Sequence, residues 1–102
     1  MAYFLVIARD GKDADTPARR KQTRPSHLEN LKPMVAKDEI VSGGGILNLA
    51  GEMIGSAVFA QFPSRGELDA WLAREPYVMN NVWKDIEVIP IRMTVRDGKI
   101  TP

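Results

Sequence analysis

Residues 3–8, YFLVIA, are apolar on both of their alternating faces. Successive side chains of a strand point to opposite sides of the sheet, so Tyr3, Leu5 and Ile7 face one way while Phe4, Val6 and Ala8 face the other. Such a strand must be covered twice, and the fold has to supply a layer for each side of the sheet that contains it. Residues 55–62, GSAVFAQF, impose the same demand, with Ala57 and Phe59 on one side and Val58, Ala60 and Phe62 on the other.

The remaining elements follow from turn and cap signals. RDGKDAD (9–15) is a polar turn, and Thr16-Pro17 is a helix start, a capping hydroxyl followed by proline at the first helical position. Arg24-Pro25-Ser26 repeats the signal. Because a residue before proline avoids the helical region, a break or kink is expected near Arg24, with the main helix over 25–37 and a bend at Pro33. EIVSGGGIL (39–47) reads as a strand running through a glycine triplet, joined to 55–62 by a long hairpin loop. Ser64 and Glu67 have capping-box spacing and open a helix that carries Leu68, Trp71 and Leu72 on one side and stops before Pro76. In the last strand, WKDIEVIPIRM (83–93), the apolar phase changes between Val88 and Ile89, which predicts a bulge there, and Pro90 predicts an edge position. The tail segment VRDGKI has an Asp-Gly centre suited to a small hairpin, which six residues hold only against a supporting surface.

The order β-α-β-β-α-β predicts one α+β domain over 1–102, with a core at about 3–93 and a tail at 94–102. Its fold is ferredoxin-like, a four-stranded antiparallel sheet with both helices on one face. The other face stays apolar and uncovered, and the chain has no spare element for it. Self-association into a homodimer through the sheet faces is the economical solution; a ligand or a different partner is the alternative.

Composition narrows the function classes. With 44% apolar and 26% charged residues, long disorder is not expected. The net charge of +1 disfavours a nucleic-acid role, and the basic run Arg19-Arg20-Lys21 with Arg24 reads either as an anion site or as a solvated helix turn. Cysteine is absent, which removes thiolate chemistry and fits a reducing, cytoplasmic location. No stretch has the length of a membrane span, and neither a membrane partner nor a cofactor is expected. With a single histidine and no clustered carboxylates, no metal site is expected. Gly43, Gly44 and Gly45 lack nucleotide-fingerprint spacing; glycines within a strand instead mark close approach by a ligand or another backbone.

That histidine, His27, lies in TRPSHLENLKPMV (23–35). On a helix begun at Pro25, Leu28, Leu31, Met34 and Val35 form the inward stripe, with His27 on its margin near the helix N-terminus. There the positive dipole end favours a neutral imidazole able to act as a base. A satisfied buried histidine is the competing interpretation, and a partner carboxylate decides between them.

The opening strand, RPSHLENL, SGGGI, GSAVFAQF and ELDAWLAREPY together resemble the YciI-like, or YCII-related, domain family from Tyr3 to about Met93. The most specific pieces are the R-P-x-H-L run at Arg24–Leu28 and the acid-Pro-aromatic triplet Glu75-Pro76-Tyr77. The resemblance implies a dimeric α+β barrel and a pocket lined by a histidine and an acid. It also brings an association with dehydrochlorinase chemistry on a chlorinated aromatic. By position the histidine is His27 and the acid is Glu75, where the family favours aspartate. The extra methylene shifts the carboxylate by about a bond length, a displacement to which pair chemistry is sensitive.

Around this catalytic pair the substrate-binding candidates are Arg24, Ser26, Gly44, Ser56 and Tyr77. Arg24 offers a planar fork for an anion, Ser26 either binds or caps the helix start, and Tyr77 walls an apolar pocket or packs in the core. Two functions are consistent with these residues. One is a cofactor-free enzyme in which His27 moves a proton on a small organic molecule, in an elimination or isomerisation. The other is a non-catalytic dimeric ligand-binding or interaction module that keeps the scaffold.

Overall fold

The computed structural model of the chain describes residues 1–101. Four long strands, β1 (Ala2–Asp10), β2 (Ile40–Leu47), β3 (Met53–Phe62) and β4 (Trp83–Ile91), form one antiparallel sheet in the order β2-β3-β1-β4. Helix α1 (Thr16–Ala36) connects β1 to β2, and α2 (Arg65–Arg74) with the one-turn α3 (Pro76–Met79) connects β3 to β4. This is the expected ferredoxin-like arrangement.

The doubly apolar β1 lies inside the sheet, between β3 and β4, as its two faces require. Its register sets Phe4 against Ala60 and Pro90, and Val6 against Val58 and Val88. These residues form the helix-side face, which seals Phe4, Val6, Ala8, Val58, Ala60 and Phe62 under Leu68 and Trp71 of α2. The Phe62 and Trp71 rings stack with centroids 5.9 Å apart. Tyr3, Leu5, Ile7, Ala57, Phe59, Ile89 and Ile91 share the other face, which carries no helix; Phe59 and Ile89 stay well exposed there.

Several local expectations need correction. Helix α1 runs unbroken through Arg24-Pro25, so no second start exists there. Each internal proline removes one backbone bond, but α1 is anchored on both sides of Pro25 by buried residues, Arg20 and Thr23 before it and His27 and Met34 after it. Thr16 is the first helical residue; its hydroxyl donates to Asp13, which also pairs with Arg19 at 2.9 Å. Val88 and Ile89 contain no bulge: β4 stays in register with β1 because both sheet faces are apolar at that end, and the register shift falls instead at Arg9/Asp10. Pro90 does lie in an edge strand. Ser64 caps α2 by accepting from the Glu67 N–H, as its spacing implied. The tail forms the hairpin β5 (Val95–Arg96) and β6 (Lys99–Ile100), with positive φ at Asp97 and Gly98. Its supporting surface is the open face, where Arg96 donates to the Tyr3 hydroxyl and to Gln61.

Gly55 is a close-approach position, since a Cβ there would lie 2.6 Å from the Ala8 carbonyl oxygen in the adjacent strand. Gly55→Ala therefore lowers stability by about 1–3 kcal/mol through forced strand displacement. Gly66→Ala is the control: its Cβ meets only the Ser64 hydroxyl at 3.7 Å, and it gains about 0.4–1 kcal/mol by restricting the unfolded chain. Urea midpoints of the two variants, moving in opposite directions at unchanged slope, check both statements.

Candidate active site

The buried stripe of α1 is mainly polar. Thr16, Arg20, Thr23, His27 and Met34 turn inward, at the i, i+4, i+7, i+11, i+18 spacing of one helix face. Leu28 and Val35, which hydrophobic periodicity assigns to the inward stripe, are half exposed and lie beside a cavity between α1 and the β2-β3 hairpin. That cavity measures about 350 Å³. His27 lies about three turns inside α1, so its environment is made by side chains and not by the helix N-terminus.

The decisive side chain comes from the α2-α3 junction. Glu75 ends α2 and begins α3, and its own Oε1 accepts from the Tyr77 N–H at 3.2 Å. Proline at 76 favours this placement, because it halts α2 and starts α3 at its first position. The same Oε1 accepts from His27 Nδ1 at 2.6 Å. Glu75 has no exposed surface and His27 keeps only 9% of its own. In the neutral ring, a carboxylate that accepts from Nδ1 selects the tautomer whose Nε2 carries no proton. No protein group among the described residues bonds Nε2, while the ring lines the cavity. Glu75 Oε2 is buried without a protein partner. The glutamate thus reaches the imidazole despite its extra methylene.

Aromatic rings hold the imidazole in plane. Tyr77 stacks on it at 4.1 Å and 22°, and Trp83 meets it edge-on at 5.8 Å. On the other side of this group sits Arg20, with Cζ 4.7 Å from the Tyr77 ring centroid. Arg20 pairs with Asp10 at 2.6 Å and also donates to the Gly55 carbonyl and the Ser56 hydroxyl, at 3.0 and 3.1 Å. Burial is the main influence pushing the Tyr77 phenol above its ordinary value, with Arg20 and Arg24 opposing it.

His27, Gly44, Ser56, Tyr77 and Arg24 all line the cavity, Arg24 from its exposed lip without an ion pair among the described residues. Gly44 does so through its backbone, since its register with Ala57 turns a side chain there toward the open face. Ser26 is the exception: it is exposed in mid-helix, lines no part of the cavity and caps nothing, because α1 begins ten residues earlier. Glu75 stands behind His27, away from the cavity lining. Arg20 and Asp10 escaped the sequence reading because a basic run resembles a solvated turn. The available signal was the spacing of Thr16, Arg20, Thr23 and His27, a polar face opposite an acid that ends an apolar strand. Among the described residues no three potential metal-ligating side chains cluster, and no helix is long and apolar enough to cross a membrane.

The profile of the YCII-related domain matches residues 1–92. An uncharacterized protein of Haemophilus influenzae is 29% identical over 96 residues, covering 88% of this chain and 96% of its own length. Protein YciI of Escherichia coli is 27% identical over 95 residues, covering 87% and 95%. Among solved structures, 5-chloro-2-hydroxyhydroquinone dehydrochlorinase (TftG) from Burkholderia phenoliruptrix, in complex with 2,5-dihydroxybenzoquinone, matches with a TM-score of 0.78 at 21% identity, over 88% of this chain and 93% of that one. An antibiotic biosynthesis monooxygenase matches with a TM-score of 0.52 at 13% identity, over 91% and 98%. These structural likenesses establish the fold.

Glu75 bears on stability as well as on the site. Glu75→Gln keeps an oxygen for the Tyr77 N–H and loses about 1–2 kcal/mol. Glu75→Ala strips both the α3 cap and the imidazole partner and loses about 3 kcal/mol or more. Equal urea midpoints for the two variants would contradict this assignment.

Proposed function

The chain belongs to the YCII-related domain family, and on that premise we propose that it is an enzyme that moves a proton on a small organic substrate through His27. The carrying observation is the 2.6 Å bond between His27 Nδ1 and a carboxylate sealed from solvent, on a ring that lines the cavity and whose Nε2 is bonded by no protein group among the described residues. In this reading Nε2 takes a proton from the substrate and returns one, and Glu75 orients the ring and balances the charge it acquires. One base acting without a second nucleophile suits an elimination or isomerisation. The dehydrochlorinase activity named for the TftG structure is an elimination of that class. The mixed cavity wall, with Leu28, Leu31 and Val58 beside Arg24 and Ser56, favours a substrate that is partly apolar and carries oxygen.

We further propose that the protein is a homodimer through the open sheet face. The tail hairpin rests on part of that face through Arg96, but Phe59 and Ile89 stay exposed there beside half-buried Leu5 and Ile7, and an isologous pairing of two such faces removes this apolar surface from water.

Two measurements check these statements. Incubation with a panel of small C–H acids in D₂O, read by NMR, detects proton abstraction directly. The wild type accelerates exchange of at least one panel member, and His27→Ala loses about 10²-fold or more of that rate; unchanged exchange in the variant refutes the catalytic role. Sedimentation of the wild type gives the dimer mass, and Phe59→Lys gives the monomer. A monomeric wild type at tens of micromolar overturns the pairing.

A further inference from the structure

We propose that the hydroxyls of Ser56 and Tyr77 form an oxyanion-binding site in the His27 cavity, so that the substrate is a carbonyl or phenolic compound whose oxygen is held there as charge develops. This deepens the reading of His27 as a proton-transfer base and rests on it.

Arg20 carries a guanidinium, which has donors and no acceptor. It donates to the Ser56 hydroxyl at 3.1 Å and, more weakly, to the Tyr77 hydroxyl at 3.4 Å. Each hydroxyl oxygen is thereby an acceptor toward Arg20, and its single proton must point elsewhere. Neither donates to any protein acceptor among the described residues, although Ser56 and Tyr77 are both buried. Both residues line the cavity that His27 lines. Two O–H donors therefore remain for a group inside it.

Arg20 itself lines the cavity, with Nη1 making only long contacts to the Tyr77 hydroxyl and Met53 Sδ, but the rest of its guanidinium is held in place. Asp10 grips it through Nε and Nη2, and the Gly55 carbonyl takes Nη2 as well. Its role is that of a positioning residue: it orients two neutral donors and polarises them. Burial keeps the Tyr77 phenol protonated and therefore a donor. Preorganised neutral donors aimed at the oxygen where negative charge develops stabilise that charge.

The chemistry balances with no added reagent. His27 Nε2 takes a proton from the carbon next to a carbonyl. The C–H electron pair forms a carbon–carbon double bond, and the carbonyl π pair moves onto oxygen to give an enolate. The Ser56 and Tyr77 O–H groups hold that oxygen. Collapse of the enolate then reforms the carbonyl and either expels a leaving group from the β carbon, which takes the proton held by His27, completing an elimination, or, where a β,γ double bond makes it a dienolate, takes that proton back at the γ carbon, completing an isomerisation.

The test uses 4-nitrophenol, whose absorbance reports its ionisation, with nitrobenzene as the isostere lacking the oxygen. Wild type binds the dye as phenolate. Ser56→Ala and Tyr77→Phe each weaken phenolate binding about 10-fold or more, and all three proteins bind nitrobenzene alike. Absence of phenolate binding to wild type, full binding by either variant, or an equal loss of nitrobenzene overturns the oxyanion site. His27→Ala separates the two readings. Exchange activity that survives in His27→Ala, with phenolate capture still dependent on Ser56 and Tyr77, removes the base and leaves the oxyanion site standing. Exchange lost in His27→Ala, with phenolate capture indifferent to the two hydroxyls, does the reverse.

Discussion

A carboxylate with no exposed surface must find donors inside the protein, and the bond from His27 to Glu75 is the interaction around which this site is organised. Glu75 has two tasks set by its place in the chain: it closes α2 and caps α3. The same oxygen that caps α3 accepts a hydrogen bond from the imidazole Nδ1 on α1. A single side chain thus joins the two helical connections of the fold at one point. The orientation of the ring, the stack of Tyr77 upon it and the place of the ring in the cavity lining all follow from that junction. Its other oxygen is buried without a protein partner.

Arg20 organises the opposite side. Asp10 ends the central strand, Arg20 reaches it from α1, and the guanidinium lies against the Tyr77 ring whose other neighbour is His27. Asp10, Arg20, Tyr77, His27 and Glu75 form a continuous series of contacts, of which Arg20, Tyr77 and His27 line the hollow while Asp10 and Glu75 stand behind them. Each charged member has a partner of opposite sign or a hydrogen-bonded one, which makes burial of so many polar groups tolerable. The roof of the hollow is different in kind. It is built from the half-exposed leucine and valine side chains of α1 and the bare backbone of Gly43, Gly44 and Gly45, so one enclosure offers polar chemistry below and apolar packing above.

Glutamate where the family favours aspartate raised the question of whether the pair survives. The longer arm curls back to accept its own helix-capping bond at Tyr77 while touching His27. The additional methylene is absorbed within the α2-α3 junction, and the carboxylate retains both contacts.

The order of elements, the antiparallel sheet and the surplus apolar face could be read from residues 3–8 and 55–62, because alternation in a strand leaves only two directions for a side chain. The pairing of His27 with Glu75 came from motif resemblance, since no local pattern joins positions 48 apart. Hydrophobic periodicity misplaced the inward face of α1, for a stripe of Thr16, Arg20, Thr23 and His27 looks solvated until Asp10 and Glu75 are brought opposite it. For the same reason Ser26 and a helix start at Pro25 were credible locally and were overridden by anchoring contacts on either side of the proline. The amino-acid sequence by itself therefore determined the strand and helix order and the need for two covering layers, which depend on short-range alternation and capping. Only the tertiary structure decided which polar side chains are buried, because a charged group can turn inward only when residues distant in the chain meet it with the opposite charge or a hydrogen bond.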